Sequence, residues 1–144
     1  MLYFAYAGLM DPDRLRAVAP HARFRFIAHL PETRLCFPVK AGLPSMVAEP
    51  GHTVWGAVFD VSPAEAKMIA AAEGDEGRVA SMQKAVDREG NKYEVVTYVV
   101  EAGGNEQYQP NPAYMEAVVQ GARHWSLPTG WIVGLEEYGE DLMA

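Results

Sequence analysis

The chain has 144 residues, 49% of them hydrophobic and 22% charged, with a formal net charge of −7 and one cysteine. This length and balance predict a single domain over residues 1–144, large enough to bury a core without cross-links. An acidic chain with no Lys- or Arg-rich segment lacks the basic face that nucleic acid demands, and a lone cysteine excludes an internal disulfide.

The opening run MLYFAYAGLMD is apolar, but it has no basic n-region and meets Asp11 too early for a signal peptide or membrane span. A soluble, cytoplasmic protein with no membrane partner is therefore expected. Leu2 to Tyr6 reads as a central strand, buried on both faces. Asp11 is a good N-cap, Pro12 suits the first helical position, and Asp13 complements the dipole of a helix ending near Pro20. Between strand and helix lies the turn Ala7-Gly8-Leu9. Such a junction displays backbone N–H groups to an anion or a carbonyl, and it also serves simply to change direction.

ARFRFIAHL (22–30) alternates basic and apolar residues, the period of a half-exposed strand. TRLCF (33–37) and SMVAEP (45–50) read as short strands separated by the loop PVKAGLP, with Cys36 a buried small hydrophobe. Glu49-Pro50-Gly51-His52 marks a turn before TVWGAVFDV (53–61), the clearest strand in the chain. Ser62-Pro63 then caps a helix, with Glu65 in the capping-box position and a stop at Gly74. SMQKAVD and KYEVVTYVVE flank REGN as a hairpin. A polar loop, AGGNEQYQPN (102–111), leads to the helix PAYMEAVVQGARHW, and PTGWIVGLEEYG closes in a short last helix. This order lacks regular β-α alternation. It predicts an α+β fold, a small mixed β-barrel or curled sheet flanked by helices.

His21, His29, His52 and His124 show no ligand spacing, and there is no nucleophile elbow, phosphate loop or dinucleotide fingerprint. Neither a metal nor a cofactor is expected. One carboxylate stands out. Glu73 ends the Ala-rich helix MIAAAEG, where the helix dipole and the neighbours Asp75 and Glu76 disfavour another negative charge. Partial burial would push its pKa further up, toward the range of a general base; the plainer reading is an exposed acidic loop.

YFAYAGLMDPDRL resembles the opening of the gamma-glutamylcyclotransferase-like family, whose signature is Y-F-A-Y-G-S-N-(L/M) followed by a short helix. SMVAEPGHTVWGAVFDV, SPAEAKMIAAAEG and NPAYMEAVVQGARHWSLPTGW are similar, in the same order, to the family's central strands, its Glu-Gly helix and its C-terminal Pro-x-Tyr…Gly-Ala…Leu-Pro segment. The resemblance implies an α+β barrel and a cofactor-free enzyme that converts a γ-glutamyl amine or amino acid to 5-oxoproline, releasing the amine. It implies that Glu73 is the catalytic acid/base and that Tyr6, Ala7, Gly8 and Leu9 form the substrate loop. Ala7, Gly8 and Leu9 stand where the signature has Gly, Ser and Asn, and the resemblance implies that Met82, in place of a family tyrosine beyond the Glu-Gly, is also substrate-binding. Arg78, in the lengthened stretch between, reads as a solvated loop residue or as a partner for a substrate carboxylate. Two alternatives accompany this one. The first is a non-catalytic module that keeps a more apolar cavity for a small ligand. The second is an interaction protein or homodimer using Trp125, Trp131 and Tyr138, for which core packing is the plainer reading.

Overall fold

A computed structural model describes residues 1–101 and 107–140. The first part of the polar loop, residues 102–106, lies outside them. Five strands close into a barrel in the order β1-β3-β2-β4-β5: β1 Leu2–Ala5, β2 Arg23–Cys36, β3 Ser45–Asp60, β4 Arg78–Asp87 and β5 Lys92–Val100. Neighbours are antiparallel except β1 and β5, which run parallel with Tyr3 opposite Val96. Closure pairs both sides of the short β1, so its Tyr3, Phe4 and Ala5 are all buried. The mixed barrel expected from the element order is the observed fold.

Among the described residues four α-helices flank the barrel: α1 Pro12–Val18, α2 Pro63–Asp75, α3 Pro112–His124 and α4 Thr129–Glu140. The first three begin as their sequences dictate. Asp11 caps Asp13 N–H, Ser62 caps Glu65 N–H and Asn111 caps Tyr114 N–H, each with proline in the first turn. Glu65 departs from the expected capping box, because its carboxylate instead accepts from His21 N–H at 2.7 Å, tying the end of α1 to the start of α2.

The strands between α1 and α2 differ from expectation. ARFRFIAHL and TRLCF are one strand, and SMVAEP and TVWGAVFDV are another. The turn expected at Glu49–His52 is a bulge inside β3: pairing passes from Pro31↔Thr53 to Thr33↔Ala48, so four residues of β3 face the single Glu32. Gly51 adopts φ +82° there, and its N–H donates to Glu32 at 2.8 Å. Pro-Gly thus satisfies a bulge as readily as a turn, because the flanking runs continue to pair.

Trp125 stacks on Phe24 with centroids 4.6 Å apart, and its indole N–H donates to Met10 O at 2.8 Å. It is a packing residue. Tyr138 lies against Phe37 and Trp131 is half-buried, so both also lean on the body of the protein. Gly121 brings α3 against the turn after β1, since an added Cβ would lie 2.4 Å from the Met10 carbonyl carbon and oxygen. Gly121→Ala is expected to cost roughly 1–3 kcal/mol of stability by prying α3 from this turn, as read by denaturant unfolding. Among the described residues no helix is long and apolar enough to cross a membrane.

Candidate active site

Helix α2 buries Glu65, Ile69 and Glu73 at four-residue intervals, which places them on one face. That spacing carries Glu73 into the interior, 2% exposed, where it meets three other parts of the chain. The Tyr3 hydroxyl of β1 donates to Glu73 Oε2 at 3.0 Å, and Arg78 Nη1 of β4 donates to Oε1 at 3.1 Å. Arg78 is itself 2% exposed and fixed by the loop before β3, its Nε and Nη2 donating to Pro44 O at 3.0 and 2.8 Å. This loop is held in turn by α3, since Asn111 N–H donates to Gly42 O at 3.0 Å.

A second row of groups borders the first. Glu76, at the C-terminal cap of α2, accepts from Arg78 Nη1 and, at 2.6 Å, from the Tyr114 hydroxyl of α3. The same hydroxyl accepts from Arg78 Nη2 at 3.3 Å and from Gly8 N–H at 2.9 Å. The turn after β1 is therefore wired through Tyr114 to the Glu76–Arg78–Glu73 group.

Burial is the main cause that pushes Glu73 up to about 6, and Glu76 adds to it. Arg78 and the Tyr3 hydrogen bond pull the other way without cancelling it. The upward direction matches the sequence reading, but burial rather than the end of α2 is its chief origin. Burial also works against the Arg78 charge, yet Tyr6, Tyr114, Glu73 and Glu76 outweigh it and hold the guanidinium charged. Tyr3 is held well above the usual phenol range by burial and by Glu73.

Of the expected loop residues, Tyr6 and Gly8 reach this cluster, and Ala7 and Leu9 flank them in the turn. Tyr6 is buried, its hydroxyl donates to Tyr98 O at 2.7 Å, and its ring centroid lies 6.0 Å from Arg78 Cζ. Ala7 has φ −117°, a conformation that needs no glycine. Gly8 lies close under α3: an added Cβ would lie 2.7 Å from the Tyr114 hydroxyl, which would have to shift. Leu9 is buried in the 3-10 turn Gly8–Met10.

Met82 is not brought to the cluster. It is 66% exposed and lines a surface groove with Leu30, Pro31, Gln83, Lys84 and Glu94. Four strand residues beyond Arg78, it lies about 13 Å further along β4.

Arg78 overturns its reading as a solvated loop residue, because β4 starts there and the side chain points inward. Tyr3, Tyr114 and Glu76 had no assigned role. Tyr3 left one signal, a hydroxyl in an otherwise apolar central strand, which must find a partner when buried. Among the described residues no group of three or more His, Cys, Asp or Glu stands ready to hold a metal ion.

The sequence model of the AIG2-like family matches residues 53–135. The mouse gamma-glutamylcyclotransferase is 27% identical, over 99% of this chain and 77% of its own length. The human gamma-glutamylcyclotransferase is 26% identical over the same shares. A solved structure of a gamma-glutamyl cyclotransferase superposes with a TM-score of 0.86 at 24% identity, covering 94% of this chain and 86% of that one.

Proposed function

The chain belongs to the AIG2-like family, and from that premise we propose a gamma-glutamylcyclotransferase-type activity with Glu73 as general acid/base. The observation that carries this reading is the buried carboxyl group of Glu73, pushed up to about 6 and anchored on both oxygens. A base of that strength is mostly ionised at neutral pH yet strong enough to accept a proton and return it.

The substrate's α-amine attacks its own γ-carbonyl, so the nucleophile arrives tethered and the protein has only to orient it. Two protons leave the α-ammonium as the C–N bond of the lactam forms. Two protons end on the released amine as the old amide bond breaks, so charge balances. Glu73 accepts the first proton and delivers it to the leaving nitrogen. Negative charge gathers on the carbonyl oxygen during attack, and the turn Ala7–Leu9, which Tyr114 ties to Arg78, is where backbone N–H donors to it would come from. Where the family signature has a serine, this chain has Gly8, and the Tyr114 hydroxyl occupies the space where that side chain would begin. A hydroxyl is thus supplied by α3.

Purified protein offered a panel of γ-glutamyl amines and amino acids is expected to form 5-oxoproline together with the free amine, read by mass spectrometry. No product from any member would overturn the reading. The pH dependence has a definite sign. Above about 6 Glu73 is ionised and competent; below it the carboxyl is protonated, and kcat/KM is expected to fall about tenfold per pH unit. A profile flat between pH 5 and 7 would remove Glu73 from the base role.

One observation favours a second reading, a binding module without turnover: the Gly8 N–H is already capped by Tyr114. Such a protein would be stabilised thermally by 5-oxoproline while forming none.

A further inference from the structure

The Glu73 cluster contains a second carboxylate, which the proposed reaction does not use. Glu76 follows helix α2 directly, and its side chain is 28% exposed while those of Arg78 and Glu73 are nearly inaccessible. Its Oε1 nevertheless takes both the Arg78 Nη1 donor and the Tyr114 hydroxyl. These two donors, one cationic and one neutral, form a ready seat for a carboxylate. A carboxylate of the protein itself sits in it.

The remaining partners of Arg78 do not depend on Glu76. Pro44 O holds two of its nitrogens and Glu73 a third, so the guanidinium stays in place when Glu76 leaves. Glu76 itself stands beside Gly77, at φ +84° with open space around its α-carbon, on a turn between α2 and β4. Arg78 is held from two further sides, and Glu76 is the accessible member of the group.

Resting on the cyclotransferase reading of this site, we infer that Glu76 is an internal competitor for the substrate's carboxylate. A γ-glutamyl substrate carries an α-carboxylate next to its reacting amine. That carboxylate displaces Glu76 from Arg78 and Tyr114, which brings the α-amine beside Glu73. Glu76 thereby sets how strongly the site holds carboxylate-bearing ligands, and it excludes weakly bound ones by occupying their place.

The test compares two small rings by calorimetry, 5-oxoproline and 2-pyrrolidinone, which is the same lactam without the carboxylate. Glu76→Gln removes the competing charge but keeps a similar shape. It is expected to tighten 5-oxoproline binding about tenfold and leave 2-pyrrolidinone unchanged. Glu76→Ala, checked for an unchanged circular dichroism spectrum, is expected to behave alike. Equal tightening of both rings would mean only a wider entrance and would overturn the inference. So would weaker 5-oxoproline binding, which would make Glu76 a support of the carboxylate seat and not its competitor, and so would binding of neither ring by any variant. Turnover is read separately with γ-glutamyl amines. A protein that binds with the expected selectivity yet makes no 5-oxoproline therefore contradicts the proposed reaction and not the role of Glu76.

Discussion

Glu73→Gln is expected to lower kcat for 5-oxoproline formation by about 10²–10⁴-fold, the range over which a positioned acid/base acts. The amide keeps an oxygen to accept from Arg78 or from Tyr3, but it cannot take a proton from the α-ammonium and return it to the leaving amine. Folding survives because the change removes a buried charge rather than stranding one: Arg78 retains Glu76 and the carbonyl of Pro44. The measurement is single-turnover kinetics beside a thermal melt. A variant that melts like the wild type and turns over within tenfold of it would place the base elsewhere.

Arg78→Met is expected to have the largest effect on stability. Arg78 fills the space between α2, the loop before β3 and α3, and it pairs with a carboxylate whose side chain is 3% exposed. Removing it leaves the Glu73 charge buried with only the Tyr3 hydroxyl, and breaking a buried pair in this way costs about 3–5 kcal/mol. In a chain of this length that lowers the melting temperature by roughly 10 °C or more. The sign of the pH dependence follows from the same pair. Arg78 pulls the Glu73 pKa down, so its loss raises that pKa further. Protonation then relieves the stranded charge, and the deficit in melting temperature should be smaller at pH 5 than at pH 8. Arg78→Lys, which keeps the charge but loses the planar fork across Pro44 O and Glu73, should fall between. An Arg78→Met protein as stable as the wild type at pH 8 would show that the ion pair is not a structural support.

Much of the fold was legible because it is written locally. Asp11-Pro12, Ser62-Pro63 and Asn111-Pro112 each join a side-chain cap to a proline, and α1, α2 and α3 start there. REGN closes the β4–β5 hairpin, with Gly90 at φ +88°. The continuity of β2 and β3 was not legible, because Pro31 and Pro50-Gly51 are turn residues in isolation and only pairing between the two strands turns them into a bulge. Of the candidate site, the Ala-rich end of α2 singled out Glu73, and the resemblance supplied its proposed role and that of the turn at Tyr6 to Leu9. The partners could not. Arg78, Tyr114 and Pro44 meet Glu73 and Glu76 through strand β4, helix α3 and a loop, and no sequence spacing encodes that meeting. Met82 was assigned because it falls where the family has a tyrosine, and the strand carries it away to the surface.

Cyclisation at the Glu73 site is tested most directly by following one amine released from two substrates, a γ-glutamyl amine and its N-acetyl derivative, whose α-nitrogen can no longer attack. The wild-type protein should release the amine only from the free substrate, with one 5-oxoproline for each amine. Amine release from the acetylated substrate, or release accompanied by glutamate instead of 5-oxoproline, would contradict cyclisation at this site.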